Sequence, residues 1–254
     1  MRLLVPLVLL SACDRLEAAG EAMTEATSPV VVQGMLLGLD APEGVDLSDS
    51  GELAFTSLCE VFLAYVADPT ELAESPAEGA GIRFKSPVNG SLLFGEAGDG
   101  KYALDSDDGL VYSPGDDAII TVTLEGEQGR LAVTAPEAPD LDLPTQIVRE
   151  STLEVQLERE YDGVVAAVYD LDRGRVTWEN LPSGVDEVYE FTHADEGTDR
   201  IHIPPDAFSR QGTYVVGVAG MEVADPGSFE GVNTQLSAFT TGRLAVRLLV
   251  VTES

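Results

Sequence analysis

Apolar residues at every second position, cut at short intervals by turn residues, narrow the folds open to this chain more than any other feature. Ala118, Ile120, Val122 and Leu124 alternate with polar Thr121 and Thr123. Leu153, Val155 and Leu157 alternate with Glu154, Gln156 and Glu158, and Val176 and Trp178 with Thr177 and Glu179. Tyr214, Val216 and Val218 repeat the pattern, as do Leu244, Val246, Leu248 and Val250. A two-residue period places one side of each segment inward, which is the signature of half-buried strands. The expectation is an all-β chain built as two tandem β-sandwiches. Only Glu52 to Ala67 is ambiguous. Phe55, Leu58, Cys59, Phe62, Leu63 and Val66 would line a helix face, whereas Cys59, Val61, Leu63 and Tyr65 would line a strand face. Its strand neighbours favour the strand.

The 254 residues suffice for two domains. The stretch from Ala135 to Pro144 crowds prolines and acids and reads as a linker. The expected division is 29–138 for the first sandwich, 139–144 for the linker and 145–254 for the second. Gly129-Arg130-Leu131-Ala132-Val133 returns as Gly242-Arg243-Leu244-Ala245-Val246, a pair of possible closing strands. Hydrophobic residues make up 44% of the chain, enough for real cores despite a formal charge of −31. Lys85 and Lys101 are the only lysines against 45 acids. Such a surface repels phosphates, so nucleic acid is excluded as a partner, and anionic head groups are disfavoured.

The N-terminus is of another kind. Met1-Arg2 is followed by an apolar run from Leu3 to Leu10, then Ser11-Ala12-Cys13. One positive charge, a short apolar core and small residues read as an export signal. With the cysteine directly after them, these residues resemble the lipobox of bacterial lipoproteins. The resemblance implies cleavage after Ala12, residues 1–12 as signal peptide, and lipid on Cys13 as the first mature residue. Residues 13–28 would then be anchor and tether. Asp14 resembles an inner-membrane retention signal of some Gram-negative bacteria, and the choice of membrane stays open. If Cys13 carries lipid, Cys59 is left without a disulfide partner.

Val61-Phe62-Leu63-Ala64, Gly79 to Phe84 and the turn Asp99-Gly100 into Lys101-Tyr102-Ala103-Leu104 resemble carboxypeptidase-regulatory-like and transthyretin-like sandwiches. Gly212-Thr213-Tyr214-Val215-Val216-Gly217-Val218 resembles the tyrosine corner of immunoglobulin-like and fibronectin type III-like sandwiches, with Trp178 as the core aromatic. Val216 stands where antibody domains carry their second cysteine. Such modules scaffold or bind.

No local catalytic motif is present: no Gly-x-Ser-x-Gly, no His-Glu-x-x-His, no Cys-x-x-Cys and no phosphate loop. His193 and His202 flank an expected hairpin turn and would point to opposite faces, against a shared zinc. Asp105, Asp107 and Asp108 in one loop, and Asp116 and Asp117 in another, are the candidate calcium ligands. Cys59, among apolar neighbours, reads as a buried structural thiol. The expected function is non-enzymatic: a lipid-anchored module of the bacterial cell envelope, on its extracytoplasmic face, that binds an envelope protein or glycan or contributes to envelope structure. The alternatives are a calcium- or glycan-dependent adhesion module, with Tyr102 and Tyr112 as exposed aromatics, and an envelope hydrolase using scattered carboxylates.

Self-repulsion among 45 acids predicts that salt stabilises the fold, because screening shortens from about 30 Å to about 3 Å between 0.01 and 1 M. Urea midpoints should rise across that range; a flat series contradicts this.

Overall fold

A computed structural model describes residues 29–40, 56–65, 74–182, 185–192 and 197–253. The first strands are β1 (Val30–Asp40), β2 (Ser57–Tyr65), β3 (Gly81–Ser86), β4 (Gly90–Leu93), β5 (Gly95–Gly98), β6 (Lys101–Asp105), β7 (Asp117–Leu124) and β8 (Glu127–Thr134). There follow β9 (Gln146–Val148), β10 (Leu153–Tyr161), β11 (Gly163–Asp170) and β12 (Arg175–Glu179). Helix α1 (Val185–Thr192) precedes β13 (Thr198–Ile203), β14 (Gly212–Val223), β15 (Phe229–Glu230) and β16 (Ala238–Thr252). The chain is all-β in class, and the ambiguous segment forms strand β2.

The strands form three sheets. The longest runs β12-β11-β14-β16-β1-β2-β6-β5, with β9 added beside β16. A five-stranded sheet runs β15-β8-β7-β3-β4, and β10 pairs with β13 alone. The long sheet therefore draws on both halves of the chain. Its join is the parallel pairing of β1 with β16, from Gln33 opposite Ala238 to Asp40 opposite Ala245. The smaller sheets pack on it side by side and enclose two cores. The first collects Leu36, Val61, Phe84, Tyr102 and Ile120, and takes Phe229, Val232 and Phe239 from the C-terminal half. The second collects Val155, Leu157, Val168, Phe208, Val216 and Leu249.

β16 serves both. Phe239 enters the first core, and Ala245, Leu249 and Val251 the second. These odd-numbered positions share one strand face. Leu244 and Val246 point the other way, into a third cluster with Met35, Leu37, Phe62 and Val215. The expected inward set of Leu244, Val246, Leu248 and Val250 is thus half right. Leu248 and Val250 follow on the same face but emerge into solvent, each 44% exposed. Early β16 is buried on both sides, so simple alternation does not describe it.

Three further expectations change. The hairpin expected around His193 and His202 would need a strand before His193, but that segment, with Tyr189 and Phe191, is helix α1. Val188 and Phe191, three apart and hence neighbours on one helix face, close the third cluster over the long sheet. A side chain at Gly163 would collide with the Phe191 ring. In the proline-rich stretch Leu141 is buried, and with Ala138 and Leu143 it packs on the second core. The two Gly-Arg-Leu-Ala-Val segments occupy unlike places, β8 in the five-stranded sheet and β16 in the middle of the long one.

Phe239 also fills the space above Gly34, where a Cβ would come within 2.5 Å of its ring. Phe239→Ala is expected to cost about 3–5 kcal/mol, the usual range for an emptied aromatic core site. Because β16 belongs to both cores, the loss should appear as one cooperative transition at lower denaturant. Two separated transitions, with only the first shifted, would contradict a shared frame.

Candidate functional site

Asp105, at the end of β6, accepts the backbone N–H groups of Asp107 at 2.8 Å and Asp108 at 3.3 Å through Oδ1. Asp108 Oδ2 in turn accepts the Asp105 N–H at 3.3 Å. These carboxylates cap their own turn, the habitual use of Asp where backbone donors lack strand partners. Asp116 and Asp117 sit elsewhere, at the start of β7. Asp117 Oδ1 accepts the Thr134 hydroxyl at 2.8 Å, while Asp116 Oδ2 is buried without a partner among the described residues. Among the described residues no group of three or more His, Cys, Asp or Glu side chains converges as a metal site would require. The structure thus keeps the two Asp groups separate.

The tyrosine corner is present in geometry: the Tyr214 hydroxyl donates to the Arg210 carbonyl at 3.0 Å. Phe208 packs edge-on to its ring at 5.6 Å. Beside it, buried Asp170 ends β11 and accepts the N–H groups of Asp172 and Arg173 at 3.1 and 3.2 Å, as well as the Arg173 guanidinium. Trp178 lies on β12 at the edge of the long sheet and packs half-buried against the second core, so Phe208 and Tyr214 are its central aromatics. Val216 is fully buried there.

Tyr102 and Tyr112 are not surface aromatics. Tyr102 is 1% exposed and its hydroxyl donates to the Ala77 carbonyl at 3.2 Å. Tyr112 lies over Gly38, and its hydroxyl donates to the Pro136 carbonyl at 2.8 Å. Both reinforce the first core rather than offering a sugar platform. Cys59 is fully buried, and burial first, then the Glu60 carboxylate, pushes its thiol well above the usual range. That is an inert thiol. His202 is exposed on β13, 4.0 Å from Glu154. Ala12, Cys13, the tether and His193 lie outside the described residues.

What the sequence did not reveal is a surface groove of about 490 Å³ on the outer side of the five-stranded sheet. Ile119 and Ala132 line it from β7 and β8, Val223 from the end of β14 and Ala224 from the segment that follows. Asp117, Glu222 and Asp225 stand around it, with Arg130. Arg130 is engaged by Glu230 at 3.6 Å, and Glu222 by Arg159. Asp225 Oδ1 caps the Gly227 N–H at 2.8 Å. Of these residues Asp117 alone was a candidate site residue in the sequence, as part of an acidic pair; Arg130 and Ala132 stood out only within the Gly-Arg-Leu-Ala-Val repeat.

No family model and no curated protein matches the chain. Among solved structures, domains A168–A170 of titin share 6% identity at a TM-score of 0.22, over 77% of this chain and 59% of that one. The chain thus spans under two thirds of the titin fragment. DIP-gamma IG1+IG2 shares 6% at 0.23, over 89% and 98%. The three N-terminal domains of the bacteriophage RB49 highly immunogenic outer capsid protein share 10% at 0.23, over 85% and 58%. Overlaps this low say nothing of partners, and the fold class rests on the chain's own strands and cores.

The tyrosines supply a pH signature. Burial, with the bond to Glu158 adding to it, pushes the Tyr161 phenol up to about 12. Burial also raises Tyr112, Tyr102 and Tyr214. An unfolded tyrosine ionises near 10. Above that pH the folded state holds protons the unfolded chain has released, so stability must fall as pH rises. Denaturant midpoints should hold below about pH 9.5 and drop beyond 10, with phenolate absorbance lagging until unfolding. Ionisation of all seven tyrosines near pH 10 in a still-folded protein would contradict these burials.

Proposed function

We propose that this chain is a non-enzymatic display module of the bacterial envelope, held on the extracytoplasmic side by lipid on Cys13 and presenting its sandwich surfaces to a partner. The observation that carries the reading is where the polar side chains are spent. Asp105, Asp170, Tyr102, Tyr112 and Tyr214 all tie down backbone at turns and corners. These are groups that hold a frame rigid so that its surface can be read by something else.

The N-terminal pattern supplies the attachment. Fifteen residues separate Cys13 from Pro29, a maximal reach of about 50 Å at 3.3–3.6 Å per residue. Diacylglycerol on sulfur and an acyl group on the new amine would together give stable anchoring where one chain is marginal. The acidic body, repelled by anionic head groups, would stand off the bilayer, leaving its faces open to protein or glycan.

Metabolic labelling with a fatty-acid analogue tests this in an expressing bacterium. The native chain is expected to take up label, lose residues 1–12 and sediment with membranes, whereas Cys13→Ala stays unlabelled. Native protein found unlabelled in the aqueous fraction, with residues 1–12 attached, overturns the anchoring.

A further inference from the structure

We infer that the groove between the outer face of the five-stranded sheet and the segment leaving β14 docks a basic, partly apolar polypeptide segment of a partner protein. At about 490 Å³ it has the capacity of a site for a small ligand or a few side chains. Ile119, Ala132, Val223 and Ala224 give it an apolar lining. That lining suits the methylene stems of lysine or arginine, which bury their carbons while the head seeks a carboxylate.

Charge selects the occupant. Asp117, Glu222 and Asp225 outnumber Arg130 around the groove. Arg130 and Glu222 already have exposed ion-pair partners in Glu230 and Arg159. Asp117 and Asp225 are in no ion pair among the described residues, and each commits its Oδ1 to a neutral donor. Cationic head groups entering the groove would therefore meet carboxylates that can accept them without breaking an existing pair. The field of a chain at −31 works in the same direction, drawing cations in and turning anionic polymers away. An acidic peptide or uronic-acid glycan would meet repulsion at both ranges. A neutral sugar would find no aromatic side chain among the described residues of this lining to stack against.

The inference rests on the reading of the chain as a binding module, but not on the lipid. A chain without acyl groups presents the same groove, so failure of the labelling experiment and failure of the groove are separate results.

The probe is the blocked hexapeptide Lys-Val-Lys-Val-Lys-Val, titrated calorimetrically into the full chain in detergent at low salt and again at about 0.15 M salt, where the screening length is about 8 Å. Ala132→Phe fills the groove without altering charge. Asp117→Asn removes one carboxylate and keeps an oxygen for Thr134. Asp140→Asn, at an exposed residue of the proline-rich stretch, removes the same charge elsewhere. The expected result is binding that survives 0.15 M salt, falls about tenfold or more in Ala132→Phe and Asp117→Asn, and is unchanged in Asp140→Asn. A tenfold loss corresponds to about 1.4 kcal/mol. If Ala132→Phe does not fold, the two charge variants decide. Equal affinity for Asp117→Asn and Asp140→Asn overturns the inference as diffuse attraction. So does spermine or polygalacturonate binding as well as the peptide, or the absence of heat from the native chain.

Discussion

The parallel pairing of β1 with β16 is the contact on which the rest of this molecule depends. It joins the first described strand to the last, across 205 residues between Gln33 and Ala238. Without it the long sheet would fall into a β1-β2-β6-β5 piece and a β12-β11-β14-β16 piece, each with a newly open edge. With it, β16 becomes an interior strand, flanked by β1 and β14. One face of that strand then serves two cores in succession, and its other face seals a third cluster. The first and last long strands among the described residues thus lie in the interior of the sheet.

Reinforcement gathers at the same junction. The segment before β16 crosses the start of β1, where the Ser237 hydroxyl accepts the Val32 N–H at 3.0 Å and the Asn233 N–H donates to the Val30 carbonyl at 2.8 Å. The buried Gln33 amide donates to the Leu236 carbonyl. At the far end of the pairing Arg243 reaches Asp40 at 3.2 Å and Glu137 at 3.9 Å. These exposed pairs contribute little energy. The buried hydrogen bonds matter more, because leaving either partner unmet in the core costs about 1–3 kcal/mol. They fix register, and in a sheet a slip of one residue would turn every side chain to the wrong face.

How far this was legible follows from how many faces each strand buries. β7, β10 and β14 could be read because polar residues or turn signals marked their limits, and β7 and β10 bury alternate residues only. β16 misled because its first half buries both faces, so the inward set could not be told from sequence. The helix at Val185–Thr192 was missed because Tyr189 and Phe191 also fit a two-residue period. Its eight residues are too few for periodicity to choose between helix and strand. Leu141 and Leu143 looked like linker because their neighbours are prolines and acids, and only the fold shows the apolar surface they cover. The tyrosine corner at Tyr214 was readable, since its tie to Arg210 is local in sequence.

The groove belongs to a class that sequence cannot display. Asp117 and Asp225 line the same groove although they stand 108 positions apart, and neither has a motif around it. What brings them near is β15, a two-residue strand that pairs Phe229 with Leu131 and Glu230 with Arg130. Ser228 secures the approach by donating to the Ala132 carbonyl at 2.8 Å. Phe229 turns inward as part of the first core, so the anchoring is hydrophobic and the acids beside it are carried into place. The same aromatic that ties the C-terminal half to the first core therefore sets one wall of the groove. Frame and surface are not independent here: the connection that makes the two halves share a core also shapes the hollow between them.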